Sequence, residues 1–541
     1  MAGFDAIGIP KMHYDVLILG GGFGGAYCAQ AVGKAFKKDP ERRIGLVAER
    51  NVMVFQPMLA EVAGASLSPL DVVNPLRQFC RDVDVLQGIV RSVDWATKTV
   101  TLDGGRFTRN HKITFGHLVL AMGSVTDLSR VPGMAENGWP MKSVADAMRI
   151  RSAVINRLEE ANLIEDEEVQ RRLLTFVIVG GGYTGVETAG QLLDLINDAK
   201  EFYQNVRDKP TRVVLIHSRA HLLEEIGPEL GDHAQKVLQR RGMEVILNAR
   251  VTEATGFKII YDNGKEIETH TIVSSIGNAP NPVILDLCKQ LGLPDEKGRI
   301  ATADTMRVPG HDNLWAIGDC AAVPWNDNGT VKTAPPTAQL ALRQGRQVGE
   351  NVARALRTQP LKPFTYTYQG QLATVGANEA VAEIMGHHFS GFIAWFMWRT
   401  IYLAKLPGFA RKLRVMIDWT FELIFPRDLS VPLPVTEDPI LPVHFQEGET
   451  LVECGDLCRA FLYVRTGTIV ARAEGQADIA FAAGQVIDQN YIDATGHWTR
   501  HLIATERTDA VMFRGRLLEM LRTKLRLVPQ PPTATVDSTK Q

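Results

Sequence analysis

The residues best suited to chemistry are two glycine clusters. The first reads Gly20-Gly21-Gly22-Phe23-Gly24-Gly25 and fits G-x-G-x-x-G at Gly20, Gly22 and Gly25. The second reads Gly180-Gly181-Gly182-Tyr183-Thr184-Gly185 and fits it at Gly180, Gly182 and Gly185. In such a turn the first glycine permits a tight bend and the second lets backbone approach a pyrophosphate. The third lets the helix lie close on the strand. The helix N-terminus offers its unsatisfied N–H groups to the anion. One copy alone also fits a glycine-rich turn that holds no ligand. Two copies in one chain imply two dinucleotides, and one redox chemistry uses two: a flavin working with a nicotinamide.

Each cluster needs a strand before it and a helix after it. Val16–Leu19 is a short apolar run that reads as a buried parallel strand, and Ala26–Phe36 reads as a helix. Thr175–Val179 and the residues after Gly185 repeat that design. The pattern predicts an α/β fold with two Rossmann-type dinucleotide-binding domains, the second inserted in the first.

Strand ends supply further candidates. Ile44–Val47 reads as the second strand, with Glu49 just past it, 24 residues after Gly25. A carboxylate there can accept hydrogen bonds from both hydroxyls of an adenosine ribose; the alternative is a solvated loop charge beside Arg50. In the second unit Arg212–Ile216 ends at His217-Ser218-Arg219. No acidic residue stands there to hold a 2′-hydroxyl, and Arg219 can accept a 2′-phosphate. NADPH and NADH therefore both stay open. Phe55–Ser68 is apolar and small enough to pack along a flavin, and Val90–Phe115 suggests a small antiparallel insertion. Leu118–Gly123 and Ile272–Gly277 are strands that end in glycine, the latter closing the nicotinamide domain. Asn313–Cys320 is a strand followed by Gly318-Asp319, where Asp319 can hydrogen-bond a ribityl chain.

Bulk composition narrows the classes. At 541 residues the chain exceeds one ordinary domain, and its net charge of −2 leaves no basic footprint for nucleic acid. The six cysteines contain no CxxC, which points to a reducing compartment. Cys454 and Cys458 are close enough to suggest a metal or redox pair, but no His or Cys at ligand spacing completes a site. A small-residue role in a turn is therefore the expectation, and no metal site is predicted. The first strand begins near Asp15, which leaves no room for a signal peptide. No apolar run reaches the ~18 residues of a spanning helix.

The ordered set GGGFGG at 20–25, LVLAMG at 118–123, GGGYTG at 180–185, IVSSIGNAPN at 272–281 and AIGDC at 316–320 resembles the two-dinucleotide-binding-domain flavoproteins. Thr333–Gly345 resembles the quinone-site helix of one branch, the type II NADH dehydrogenases, whose pattern is AQxAxQ. Ala338, Gln339 and Ala341 match it, while Arg343 stands at the final Gln position with Gln344 next to it. Gly185-Val186-Glu187 matches as well, and so do Gln369–Gly376 and Phe389–Asp428.

The resemblance implies FAD as cofactor, NADH or NADPH as substrate, and a quinone as acceptor, with no proton pumping. It implies a homodimer, peripheral on the cytoplasmic face of the inner (plasma) membrane. Its catalytic residues would be Glu187, Gln339 and Arg343. Glu187 would couple or position a proton; its plain alternative is a first-turn carboxylate stabilised by the helix dipole. FAD would meet Gly20, Gly22, Phe23, Gly25, Glu49, Gly123, Gly318, Asp319 and Ala338. The nicotinamide nucleotide would meet Gly180, Gly182, Tyr183, Gly185, His217, Ser218, Arg219 and Gly277.

Beyond residue 390 the chain changes character. Gly391–Ala404 is rich in Trp, Phe and Tyr with one charge, Arg399. In the helix after it, Leu413, Met416, Ile417, Thr420, Phe421 and Ile424 share one face, and Arg411, Arg414, Asp418 and Glu422 the opposite one. This suits a membrane interface, with Arg411, Lys412 and Arg414 reaching anionic headgroups; a buried hairpin or dimer contact is the alternative. His387-His388 reads as a loop or helix-end pair.

Asp428–Pro442 is proline-rich and reads as a linker. Phe445–Arg472 resembles a cyclic-nucleotide-binding β-roll through Gly448-Glu449, Gly455-Asp456, Leu462-Tyr463-Val464 and Gly467. Its cassette carries Asp488-Gln489 in place of Gly-Glu, with Arg500 near the phosphate-binding arginine. A degenerate fold that binds no cyclic nucleotide is expected, acting in dimerisation or as a lid. The expected organisation is a flavin domain in two parts, 12–172 and 283–365, around a nicotinamide domain at 173–282. A membrane-associating region at 366–428, a linker at 429–443, a β-roll at 444–527 and a disordered tail at 528–541 follow.

Rival readings divide on the same residues. A disulfide reductase needs a cysteine pair on the first helix, where Cys28 stands alone. A sulfide:quinone reductase needs cysteines mid-chain, and none lies between Cys80 and Cys288. A soluble NAD(P)H-dependent electron-transfer reductase stays open. A flavin-bearing redox-regulatory protein would want an intact cassette glutamate.

Overall fold

The computed structural model describes residues 12–514 except 106–107, 328–329, 368, 377, 431–439, 457, 459 and 494–496. Most of the expected linker, the tail at 528–541 and the end of the expected β-roll lie outside the described residues.

Strand β1 (Met12–Leu19) lies at the centre of the first sheet, and its Val16–Leu19 stretch is fully buried. Ile44–Ala48 pairs with it in parallel on one side and His111–Leu120 on the other. Strands covered on both faces read as unbroken apolar runs, which is why this one is so plain in the sequence. Helix α1 (Phe23–Phe36) follows, capped by Gly22. It begins three residues earlier than the apolar pattern suggests, so Phe23, Gly24 and Gly25 form its first turn.

The hairpin of Ile89–Asp94 and Thr99–Asp103 is not a separate insertion. It continues the first sheet, because His111–Leu120 is ten residues long and shares one edge between two partners. Its start pairs antiparallel with Thr99–Asp103, and its end pairs in parallel with Leu314–Ala316. A short helix α2 (Leu59–Ala63) lies within the apolar run that begins at Phe55.

Strand β2 (Thr175–Val179) centres a second, all-parallel sheet in the order Gly138–Pro140, Thr271–Ser274, β2, Arg212–Ile216, Glu244–Ile246. These strands all fall in sequence between His111–Leu120 and Leu314–Ala316 of the first sheet. Helix α3 (Tyr183–Lys200) leaves β2 with Gly182 as its cap.

Helix α4 (Ala338–Leu356) returns across α1 at unusually close range. A Cβ on Gly345 would sit 2.3 Å from the Gly24 carbonyl oxygen, and one on Gly349 would sit 2.6 Å from Ala31 Cβ. Strand β3 (Gly370–Gly376) opens a three-stranded meander with Glu379–Ile384 and His387–Ser390. It lies on α3 so closely that a Cβ at Gly190 would meet the Val375 carbonyl carbon at 2.5 Å. His388, in the last strand of the meander, pairs with Glu229 at 3.0 Å, an acidic partner that sequence proximity does not reveal.

Helices α5 (Gly391–Lys405) and α6 (Phe409–Glu422) follow. Val415 and Trp419 of α6 are buried against the protein, while Leu413, Met416, Ile417, Phe421 and, just beyond, Ile424 are exposed. The apolar stripe thus faces outward. The inner side carries Glu422, which pairs with Arg399 of α5 at 2.7 Å.

The last unit forms two four-stranded antiparallel sheets. They enclose their own core, including Phe445, Phe461, Phe481 and Trp498. This unit docks on the strand Val251–Ala254 and the turn after it: Glu253 pairs with His444 and Arg507, and Thr255 donates to Glu449 at 2.7 Å.

Candidate active site

The two glycine turns have the same stereochemistry. Gly20 and Gly180 have φ of +114° and +110°, a conformation that suits glycine. A Cβ at Gly25 or Gly185 would lie 1.8 Å from the carbonyl oxygen of Gly20 or Gly180 respectively. At Gly22 and Gly182 a Cβ would meet nothing within 4 Å. Each turn therefore has a bend, a close helix contact and, between them, open space beside a helix N-terminus. That is the shape a pyrophosphate requires.

Other predicted residues gather at the first cradle. Glu49 is exposed directly after the strand Ile44–Ala48. Gly123 and Gly318 have φ of +64° and +70°. Lys142 Nζ donates to Ser124 Oγ at 2.9 Å, and Ser124 Oγ donates to Asp319 at 3.4 Å. Ala338 is the first residue of α4, whose cap Thr337 accepts from Leu340 N–H. The Phe23 side chain is turned away, buried edge-on against Phe55.

At the second cradle His217 is a brace. Gly181 N–H donates to His217 Nδ1 at 3.0 Å, and burial lowers the imidazole pKa, favouring the neutral ring that can accept this bond. Ser218 and Arg219 are exposed, and Arg219 Nε lies 4.0 Å from Glu224. Gly277, with φ +94°, accepts through its carbonyl from Asp127 N–H at 2.6 Å. The Tyr183 hydroxyl donates to Gln371 of β3.

Glu187 lies one turn into α3 and is buried. Its Oε1 accepts from Thr374 N–H of β3 at 3.3 Å. Burial pushes its pKa up to about 8, against the lowering effect of that N–H and of the Trp398 indole. Tyr402 lies close by, its ring 4.7 Å from Trp398 and 6.2 Å from Phe55, and burial raises its pKa strongly.

Gln339 and Arg343 occupy successive turns of α4. Gln339 Nε2 donates to the Tyr366 hydroxyl. Arg343 donates to the Gln339 carbonyl at 3.0 Å and to Gln369 Oε1 at 2.9 Å, with its guanidinium 4.8 Å from the Tyr366 ring centre. Gln344 is buried and accepts from Gly318 N–H at 2.8 Å, so it is committed to the turn that carries Asp319. Burial lowers the Lys405 pKa, with the positive charge of Arg343 adding to the effect.

Several participants escape sequence reasoning. Tyr366 belongs to no motif, and Gln369, Trp398 and Tyr402 lie in segments that resemble the family without being singled out there. Glu61 has a signal: it is the only carboxylate in the run Phe55–Ser68, and it is buried.

A sequence profile of the pyridine nucleotide-disulphide oxidoreductases matches residues 14–345, and one of the NDH2 C-terminal domain matches residues 368–428. The chain thus has the α/β fold of the pyridine nucleotide-disulphide oxidoreductases. The solved NDH2 of Plasmodium falciparum in complex with RYL-552 superposes with a TM-score of 0.70 at 18% identity, covering 78% of this chain and all of that one. The type II NADH:quinone oxidoreductase Ndh of Mycobacterium tuberculosis is 31% identical over 430 residues, 77% of this chain and 90% of its own. An internal alternative NAD(P)H-ubiquinone oxidoreductase of Arabidopsis thaliana mitochondria is 30% identical over 453 residues, 77% of this chain and 85% of its own. The chain belongs to the type II NADH:quinone oxidoreductases. Among the described residues no helix is long and apolar enough to cross a membrane.

Proposed function

We propose that the protein is a flavoenzyme that moves two electrons from NADH to a membrane quinone without pumping protons. One observation carries this reading. A buried carboxylate, Glu187, stands on the helix that leaves the second glycine cradle, while α4, bearing Gln339 and Arg343, lies across the helix that leaves the first.

The first cradle fits FAD. Gly20, Gly22 and Gly25 leave room for its pyrophosphate, Glu49 is positioned for its ribose, and the Lys142–Ser124–Asp319 chain offers an oriented carboxylate for its ribityl hydroxyls. The backbones of Phe23, Gly123, Gly318 and Ala338 complete the lining. When bound, FAD accepts a hydride from the nicotinamide and returns two electrons to the acceptor. The second cradle, Gly180, Gly182 and Gly185 with Tyr183, His217, Ser218 and Gly277, takes the nicotinamide nucleotide. Glu224 beside Arg219 supports NADH over NADPH, since a 2′-phosphate there would face a carboxylate.

Gln339 and Arg343 are donors for a quinone oxygen, framed by Tyr366 and Gln369, and Glu187 holds the proton that the reduced quinone takes up. Arg343 fills the role of the missing AQxAxQ glutamine, because Gln344 is occupied by Gly318. The outward stripe of α6, with Arg411, Lys412 and Arg414, supports peripheral attachment to a membrane; the cytoplasmic face of the inner (plasma) membrane is carried over from the family resemblance. A homodimer is carried over from the family resemblance.

We assign flavin parts to 12–172 and 283–365, a nicotinamide-binding Rossmann domain to 173–282 with the strand Gly138–Pro140 joining its sheet from the first flavin part, and a membrane-associating region to 366–428. The expected linker, 429–443, ends earlier than its proline content suggests, because Ile440–Phe445 is a strand that pairs antiparallel with Thr508–Arg514. The unit from Ile440 to Arg514 is assigned to the expected degenerate cyclic-nucleotide-binding-like β-roll. Its Arg500 is spent on its own hairpin, donating to Ala477 O at 2.8 Å and to Gln476 Oε1 at 2.5 Å, which supports a module that holds no nucleotide.

Steady-state oxidation of NADH and NADPH with a soluble quinone tests the reading, using membrane-bound and washed protein. NADH-driven quinone turnover in both fractions is expected. Flavin reduction with no quinone turnover would leave a soluble electron-transfer reductase as the better description.

A further inference from the structure

Glu61 is 3% exposed, and its Oε2 has no hydrogen-bond partner. A buried carboxylate without partners is far cheaper neutral than charged. The charges facing Glu61 come from three other helices and the segment after them. They are Glu187 of α3, Arg399 of α5, Glu422 of α6 and Arg427 beyond it.

These groups belong to one ion-pair network. Arg399 holds Glu422 at 2.7 Å. Arg427 holds Glu422 at 3.1 Å, Asp194 at 3.3 Å and Asp198 at 3.2 Å. Arg241 also pairs with Asp194. Three guanidiniums thus face three carboxylates, and the set is balanced without Glu61 or Glu187. Both remaining carboxyls lack a counter-charge and are held protonated near neutral pH. Burial pushes each up to about 8. Asp198, at the outer end, is half exposed and opens the network to solvent. Glu61 also sits where the helices meet, since Arg427 donates to the Gly64 carbonyl at 2.6 Å just beyond α2.

We propose that Glu61 is a positioning residue for proton supply: it stores a proton beside Glu187 and refills it from the Asp198 side of the network during quinone reduction. This rests on the function proposed above. The balance is NADH + H⁺ + quinone → NAD⁺ + quinol, so one proton enters from solvent per turnover. Glu187 gives its proton to a quinone oxygen, Glu61 gives its own to the Glu187 carboxylate, and water beyond Asp198 reprotonates Glu61.

Glu61→Gln keeps the size and the neutral charge of the protonated side chain, so folding is retained while the store is lost. Two measurements are made on the full FAD-loaded protein. The first is the infrared carboxylic-acid C=O band of the resting enzyme followed over pH; the variant should lose one component that titrates near pH 8. The second is the pH profile of kcat with quinone, with flavin reduction by NADH measured separately. The alkaline limb should become shallower, from two ionisations to one. The quinone step should slow by about tenfold, a modest share of the effect of a general acid, and the loss should fall on that step, not on flavin reduction. An unchanged infrared spectrum, or an unchanged limb with unchanged quinone rate, overturns the proposal. Absence of quinone turnover in the wild-type protein instead overturns the function on which it rests.

Discussion

His444 Nε2 and Glu253 Oε1 stand 2.8 Å apart, joining the last unit of the chain to the strand Val251–Ala254. The other ring nitrogen lies 2.6 Å from Asp509, and Arg507 adds a second cation to Glu253 at 2.5 Å. Burial opposes the charged imidazole, but the hydrogen bonds to Asp509 and Glu253 outweigh it and raise the His444 pKa. A raised histidine contributes stability that is complete below its unfolded pKa, about 6.5, and is lost as pH rises through the folded value. Burial likewise opposes the charged forms of Glu253 and Asp509, yet their hydrogen bonds to His444 prevail and lower both pKa values. Their contribution is lost only as pH falls through those lowered values. The docking should therefore be firmest in mildly acidic solution and weaken toward alkaline pH. His444→Gln should remove that alkaline dependence and cost about 3 kcal/mol, as for one partner of a buried pair. Urea unfolding of the full chain across pH, followed by tryptophan fluorescence, measures both. A variant with the wild-type pH dependence would show that His444 is not the titrating group.

The two glycines Gly182 and Gly185 should separate folding from binding. A Cβ at Gly185 lies 1.8 Å from the Gly180 carbonyl oxygen, and no side-chain movement relieves a backbone clash. Gly185→Ala should destabilise the protein by about 1–3 kcal/mol and impair NADH use with it. Gly182 has φ −78° and open space around its missing Cβ. Gly182→Ala should fold normally, with at most about 1 kcal/mol lost from the helix cap. Its KM for NADH should rise by about tenfold, or ~1.4 kcal/mol. Thermal melts and NADH titrations of the pair decide this. Unaltered NADH affinity in Gly182→Ala would move the pyrophosphate away from that turn.

Both turns are legible in the sequence because their demands are local. A positive φ at Gly180, a helix contact at Gly185 and a clear approach at Gly182 are settled within six residues. The strands are legible for a related reason, since Val16–Leu19 and Thr175–Val179 are covered on both faces and carry no polar residue except at an end. Glu61 is different. Its environment is written by Arg399 and Arg427, more than 300 residues away, and only the tertiary fold brings them together. Tyr366 likewise acquires meaning when α4 places Gln339 and Arg343 against it. For α6 the sequence gives an amphipathic helix but not its direction. Glu422 is drawn inward by Arg399 and Arg427, and that ion pairing turns the apolar stripe outward.

The outward stripe makes the membrane reading testable. Phe396, Ile417, Phe421 and Ile424 are 60%, 44%, 56% and 72% exposed. Fully burying one such side chain is worth about 1.5–3 kcal/mol, so a few of them inserted shallowly suffice for reversible attachment to lipid. Phe421→Ser with Ile424→Ser should leave the fold intact, because neither side chain packs in the core. The double variant should bind anionic vesicles about tenfold or more less tightly, a loss of ~1.4 kcal/mol. Its turnover with a water-soluble quinone should persist while turnover with a long-chain quinone in the bilayer falls. High salt should weaken the remaining attachment through Arg411, Lys412 and Arg414. Vesicle flotation and the two quinone assays together separate lipid from protein as the occupant of this face. If the stripe were instead a contact between two copies, the double variant would change the oligomeric mass and leave flotation as it was.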